Sequence, residues 1–471
     1  MFIFWIMLVA AVVQSLAAAY WFIYPSRLSS FIVQVACYFA EIELQFFSVF
    51  SELSSLLILV LLFSPAVLLF YSGRKGIQPT ASPPKDVPQF LKDPIGPVLL
   101  IAGFGLSLIA AAYPLFPSLN PGQEPYSVDF KYYKAVLDRL AAQGFSANLC
   151  PPDRVLSYAF IYTFHKLLGT SVSATLMYLP LILGPLFVVL TYLLGRELLR
   201  DLKLAGLASL FAATSYTVTV GMFAGYYANW LANCFATFFL YSFVRWNNTH
   251  SVYVGLLMIL SSFMILLSHM YTWILLMAAV VFYFIIDIRK YVRSRSFLKV
   301  SIILLFLLAI PAADLIRISL LKAVSSYDAS IGLLRSLRTT NFLELNKNLM
   351  NTFHRFSAGF LANSPVLLLS IIGYSLHKRS DDFHRLLSCM LIISIPLILF
   401  GNTASIQSRV LYVLPFPVMC ALGLMNVGLI FANSFDQQSF RKTYTSTVLV
   451  VCLSQLNYLL RSMATLVGFA G

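Results

Sequence analysis

Pro97-Val-Leu-Leu-Ile-Ala-Gly-Phe-Gly-Leu-Ser-Leu-Ile-Ala-Ala-Ala-Tyr-Pro114 runs into Pro117-Ser-Leu-Asn-Pro-Gly-Gln-Glu-Pro125 and then Tyr126-Ser-Val-Asp-Phe-Lys-Tyr-Tyr-Lys-Ala-Val-Leu-Asp-Arg-Leu140. The first run carries no charge and has the length of a membrane span. The second holds too much proline to continue a helix. The third has helical periodicity, with Ser127 expected as N-cap. At roughly 100° per residue, Lys131, Lys134 and Asp138 fall on one face, and Tyr132, Tyr133, Val136 and Leu140 on the opposite one. Asp129 falls in the middle of that apolar face. An acid there is either a helix-start acid, stabilised by the dipole by about 0.3 to 1 kcal/mol, or a carboxylate kept from water for a purpose.

The same segment predicts a second helix after Pro151-Pro152, over 154–168, too short and too polar to cross a bilayer. Arg154, Tyr158, Tyr162, His165 and Lys166 share one face, and Phe160, Ile161, Phe164, Leu167 and Leu168 the other. This is the pattern of a helix lying in the membrane interface.

Outward from this stretch, composition sets the class. Of 471 residues, 59% are hydrophobic and 11% charged, which implies an all-α polytopic helical membrane protein. About thirteen spans can be placed by length: 2–24, 53–71, 97–116, 174–195, 203–222, 227–245, 251–268, 271–288, 298–313, 361–376, 385–400, 410–432 and 444–465. Residues 29–50, with a stripe of Gln34, Glu41, Gln45, Ser48 and Glu52, read either as a span or as an interfacial helix. Residues 1–94 form a membrane appendage ending in a basic, proline-rich linker (73–94), and 95–471 form the core.

Basic residues crowd the short turns on the linker's side, among them Arg74, Lys75, Arg196, Arg200, Lys203, Arg245, Arg289, Lys290, Arg293, Lys378, Arg379, Arg385, Arg441 and Lys442. By the positive-inside rule that side is cytoplasmic, and the long segments 117–173 and 314–360 are external. The net charge of +14 then needs no nucleic acid partner, because the inner turns meet anionic headgroups. The six cysteines show no paired spacing, and neither a disulfide framework nor a metal knuckle is implied.

The order of features over 95–245 resembles the GT-C superfamily of polytopic glycosyltransferases, of the protein O-mannosyltransferase and aminoarabinose transferase type. The resemblance is carried by Val128-Asp-Phe-Lys-Tyr-Tyr133, Pro151-Pro152, Lys166-Leu-Leu-Gly169, Tyr192-Leu-Leu-Gly-Arg-Glu-Leu198 and Leu204-Ala-Gly-Leu-Ala-Ser-Leu-Phe-Ala-Ala-Thr214. It implies a core whose first span enters an external loop with interfacial helices, and a catalytic acid just beyond that span, at Asp129. It further implies a polyprenyl phosphate sugar as donor and a protein, lipid or glycan as acceptor, at the external face of the membrane. Many members carry an Asp-Glu pair where this chain has Asp129-Phe130, and Asp153 is the stand-in for the second acid.

The chemistry assigns Asp129 as general base, a role worth roughly 10²- to 10⁴-fold in rate. The departing phosphate calls for a planar guanidinium. Arg409, in Gln407-Ser-Arg-Val-Leu-Tyr412 where an outer loop re-enters the membrane, is the first choice, and Arg355 and His269 follow. Arg154, Asp153 and Tyr132 complete the expected substrate-binding set. A cofactor is left unassigned, a divalent metal at Asp129 being compatible with the family. The membrane expected is the plasma membrane of an archaeon or bacterium, in preference to endoplasmic reticulum. Two other readings stand beside the enzyme: a transporter or flippase for a lipid-linked or anionic substrate, and a non-catalytic membrane scaffold of the same fold.

Overall fold

The computed structural model describes residues 95–117, 129–293, 297–335, 369–375, 381–400 and 413–434, single positions between these stretches, and most of 444–459. The appendage expected at 1–94, Arg355 and Arg409 lie outside the described residues. Among those described, the regular structure is helical, with no β-strand. The helices are α1 Gly96–Ala112, α2 Phe130–Gln143, α3 Val155–Leu168, α4 Val172–Tyr178, α5 Pro180–Leu199, α6 Leu202–Ala213 and α7 Tyr216–Ala224. They continue with α8 Tyr227–Thr249, α9 Val252–Ser268, α10 Met270–Arg293, α11 Phe297–Leu321, α12 Ser326–Arg335, α13 Asp382–Phe400 and α14 Phe416–Ser434.

Four stretches are long and apolar enough to cross a membrane by length and composition: Val172–Leu199, Leu202–Met222, Met270–Asp287 and Val300–Leu321. Gly96–Ala112, Val252–Ser268 and Phe416–Leu429 are apolar but shorter. Two expected spans are each made of two helices. The first breaks between α4 and α5, where Pro180 stands at the start of α5. The second breaks at Thr214-Ser215, between α6 and α7.

Small residues let the first helices touch. A Cβ on Gly96 would strike the Leu202 carbonyl, one on Gly206 would lie 2.8 Å from Leu99 Cβ, and one on Gly195 would lie 3.2 Å from Ala205 Cα. Backbones this close gain dispersion contacts that do not depend on water, the usual basis of helix association inside a bilayer. At the end where α5 meets α6, Arg200 takes a left-handed φ of 53° and Asp201 caps α6, accepting from Lys203 N at 2.8 Å and Leu204 N at 3.0 Å. Glu197 accepts from Asn248 Nδ2 at 2.9 Å, which brings the end of α8 to the same level.

The opposite end of the bundle gathers α2, α3, the α7–α8 turn and the α9–α10 turn. Three bonds place them there: Asp129 N to Ala224 O at 3.1 Å, Ala228 N to Tyr133 Oη at 2.9 Å, and Ser157 Oγ to Ser268 O at 3.0 Å. Beneath them lies a core built around Leu140, Leu176, Val188, Val218, Trp230 and Leu231.

The span expected over 298–313 extends to Leu321, so the segment expected as a loop from residue 314 begins inside a helix. Arg317 Nη2 binds Asp314 Oδ1 at 2.7 Å and the Val324 carbonyl at 2.6 Å, while Asp314 Oδ2 accepts from Ser326 N at 2.9 Å and Ser326 Oγ at 2.6 Å. Each charge finds its partner one turn away, so two charged positions that read as a loop continue the helix.

Candidate active site

Helix α2 starts at Phe130, later than expected, with Asp129 in the N-cap position and no capping bond from its side chain. Ser127 is therefore not the cap. Asp129 has φ −87° and ψ 2°, in the sparsely allowed bridge region where many active-site residues sit. Its backbone is held on both sides: the N–H donates to Ala224 O, and the carbonyl accepts from Tyr132 N at 3.1 Å and Tyr133 N at 3.3 Å. The carboxylate is half-buried, on a main chain that has no freedom to turn.

Gly225 lets the Asp129 loop approach. It ends α7 with φ +66°, and a Cβ there would meet the Ser127 Cβ and Oγ. Only glycine combines that φ with that approach.

The buried face of α2 is centred on Tyr133, Leu137 and Leu140, with Phe130 and Val136 at its margins. Tyr132 lies beyond the margin at 72% exposed, which removes it from the expected substrate-binding set. One residue further along the helix, Tyr133 is 1% exposed. Its ring stacks on Tyr158 with centroids 5.4 Å apart and meets the edge of Tyr227 at 5.2 Å. Tyr158 was expected on the polar face of α3, yet it is buried with Ser157 and Ile161, whereas Leu167 is 79% exposed. Helix α3 thus presents Ser157, Tyr158 and Ile161 to the bundle and leaves its last turn outside.

Arg154 stands just before α3 and is mostly buried. Its Nε donates to Asp153 Oδ2 at 3.1 Å, and its guanidinium lies against the Tyr133 oxygen. Burial opposes its charge, but the Tyr133 oxygen and Asp153 outweigh burial and hold it cationic above the usual arginine value. Burial pushes the Tyr133 phenol up; Arg154 and the Ala228 N–H draw it partly back, and Asp129 adds to the rise. Asp153 serves as a tether for Arg154, not as a second acid beside Asp129. Asp138, by contrast, sits in an exposed pair with Lys134 at 2.6 Å.

His269, expected at an outer turn, is 3% exposed. Its Nδ1 lies 2.8 Å from Thr272 Oγ1, and Thr272 Oγ1 donates to Asn229 Oδ1 at 2.8 Å. This buried chain ties the start of α10 to the first turn of α8.

The site therefore brings together Asp129, Tyr133, Arg154, Tyr158 and the first turn of α8, with His269, Thr272 and Asn229 in the neighbouring turn. Tyr133 and Asn229 were missed because both sit in apolar surroundings, where tyrosine and asparagine read as packing. Among the described residues, no three His, Cys, Asp or Glu side chains come together to hold a metal ion. No protein-family model matches the chain, and no curated protein matches it in sequence.

Proposed function

We propose that the chain is a membrane glycosyltransferase that moves a sugar from a polyprenyl phosphate donor to an acceptor at the external face, with Asp129 as general base. The observation that carries this reading is the fixed main chain of Asp129, which sets a half-buried carboxylate beside a mostly buried arginine at one end of an apolar bundle. A carboxylate in a poorly solvated site takes an acceptor proton more readily than one in water. A guanidinium two bonds from water offers the departing phosphate a planar set of donors. Arg154 joins Arg409 and Arg355 as the cation for that phosphate, and the exposed apolar turn of α3 suits lipid at the interface.

In a transporter, the polar groups are expected near the middle of the bundle, at broken helices. The cluster here gathers at one end, which favours the enzyme over the flippase. The test is purified protein in detergent with a panel of labelled polyprenyl phosphate sugars and simple hydroxyl and amine acceptors. Sugar transfer that depends on Asp129 supports the reading. Donor turnover that is absent across the panel, or equal in wild type and Asp129→Asn, removes it.

A further inference from the structure

We propose that Tyr133 is a positioning residue, whose phenol oxygen fixes the direction in which the Arg154 guanidinium meets an anion. This rests on the reading of this end of the bundle as the place where a lipid-linked phosphate binds. Tyr133 cannot move: its ring is closed between Tyr158 and Tyr227, and its oxygen accepts from the Ala228 N–H in the first turn of α8. Arg154 reaches that same oxygen, while its Nε is taken by Asp153.

The guanidinium is thus tethered at two points, one on its own turn and one on a different helix. Asp153 is the neighbouring residue in sequence and moves with Arg154, so it cannot set the arginine's place relative to the rest of the molecule. Tyr133 can, because α8 and α2 both hold it. An arginine whose fork is set before the ligand arrives loses less side-chain freedom on binding, and it distinguishes a phosphate from a neutral lipid by direction as well as by charge. The tyrosine does not touch the reacting atoms in this scheme; it acts through Arg154.

The test uses the full chain in detergent. Phenylglyoxal modification of Arg154 is followed by peptide mass spectrometry, and binding of farnesyl phosphate and of farnesol is followed by intrinsic fluorescence. Tyr133→Phe keeps the ring and removes the oxygen. The expected result is faster modification of Arg154 and farnesyl phosphate binding weakened about ten-fold or more, with farnesol unchanged. Tyr227→Phe, which removes a buried hydroxyl from the same aromatic group, should alter neither.

If Tyr133→Phe does not fold, Asp153→Asn decides the matter. It cuts the other tether, and slow modification of Arg154 in that variant supports the hold by Tyr133. An unchanged rate in Tyr133→Phe, or a fully released Arg154 in Asp153→Asn, overturns the proposal. Faster modification in Tyr133→Phe, with no preference of the wild type for farnesyl phosphate over farnesol, upholds Tyr133 as the anchor of Arg154 and counts against the phosphate donor.

Discussion

The Tyr133 phenol oxygen and the Ala228 N–H stand 2.9 Å apart although 95 residues separate them in sequence. Through this bond the amphipathic helix beyond the first apolar helix is fastened to the first turn of α8. The Asp129 to Ala224 bond is its companion on the other side of the α7–α8 turn. Together they make the position of the acid a property of the bundle, not of a loop.

Asp129→Asn preserves shape and removes the ability to take a proton. Turnover should fall by roughly 10²-fold or more with donor binding retained. Asp138→Asn is the control, because that acid is exposed and paired with Lys134 on the far face of the same helix. Equal, mild losses at both positions would leave Asp129 as a helix-start acid.

Gly225→Ala introduces a Cβ where φ is +66° and where Ser127 already fills the space. The strain of the left-handed backbone alone is about 1 to 2 kcal/mol. The expected outcome is a lower melting temperature together with reduced turnover, because the displaced segment leads directly to Asp129. A variant as stable and as active as the wild type would show that the close approach is not needed.

Asp314→Ala should destabilise the detergent-solubilised protein by about 3 to 5 kcal/mol, since it strands a buried arginine. The double variant Asp314→Leu with Arg317→Met removes both charges and should recover much of that loss. Chemical or thermal unfolding of the three proteins checks the order. If the single variant matches the double, the pair does not act as a unit.

The alkaline limb of stability follows from the aromatic group. Burial raises the phenols of both Tyr133 and Tyr158 above the ordinary 10.0, and Arg154 draws each partly back. A group whose folded pKa is raised adds stability that is complete below its unfolded pKa and is lost as pH rises through the folded value. Melting temperature should therefore begin to fall above a pH of about 10, and the fall should be shallower in Tyr158→Phe. An identical slope in that variant would take Tyr158 out of the account.

Orientation is open to a simpler measurement. Tyr132→Cys and Thr249→Cys place thiols at exposed positions at opposite ends of the bundle. An impermeant maleimide on intact cells should modify the first and spare the second, with peptide mass spectrometry separating both from the native cysteines. The reverse result would put the candidate site on the cytoplasmic side.

Much of this architecture is legible in the sequence because helical periodicity and apolar length are local properties. The starts of α8, α9 and α10 and the amphipathic α2 follow from runs of residues that report on themselves. Tyr132 and Tyr133 show where that stops. Adjacent aromatics on a helix edge differ by about 100°, and which one faces inward depends on where the neighbouring helix lies. Tyr158 was misread for the same reason: its hydroxyl suggests water, and only the ring of Tyr133 opposite explains its burial. Asp314 and Arg317 read as loop charges because their mutual pairing requires a helix to be assumed first. Asp129 was found because an acid on an apolar face is conspicuous in one dimension.

The distal bonds of the chain bear on how the molecule is made. Thr214 Oγ1 meets Gln455 Oε1 at 3.1 Å and Thr219 Oγ1 meets Tyr458 Oη at 2.9 Å, so α7 and the residue that begins the break before it are pinned by side chains more than 230 positions downstream. Helix α7 ends in the carbonyl that holds Asp129. During synthesis, an emerging chain would have all the apolar helices up to α14 before anything could pin α7. The acid's final alignment thus comes at the close of biosynthesis, when a late segment docks against an early one, and a nascent chain carries its catalytic machinery unassembled until then.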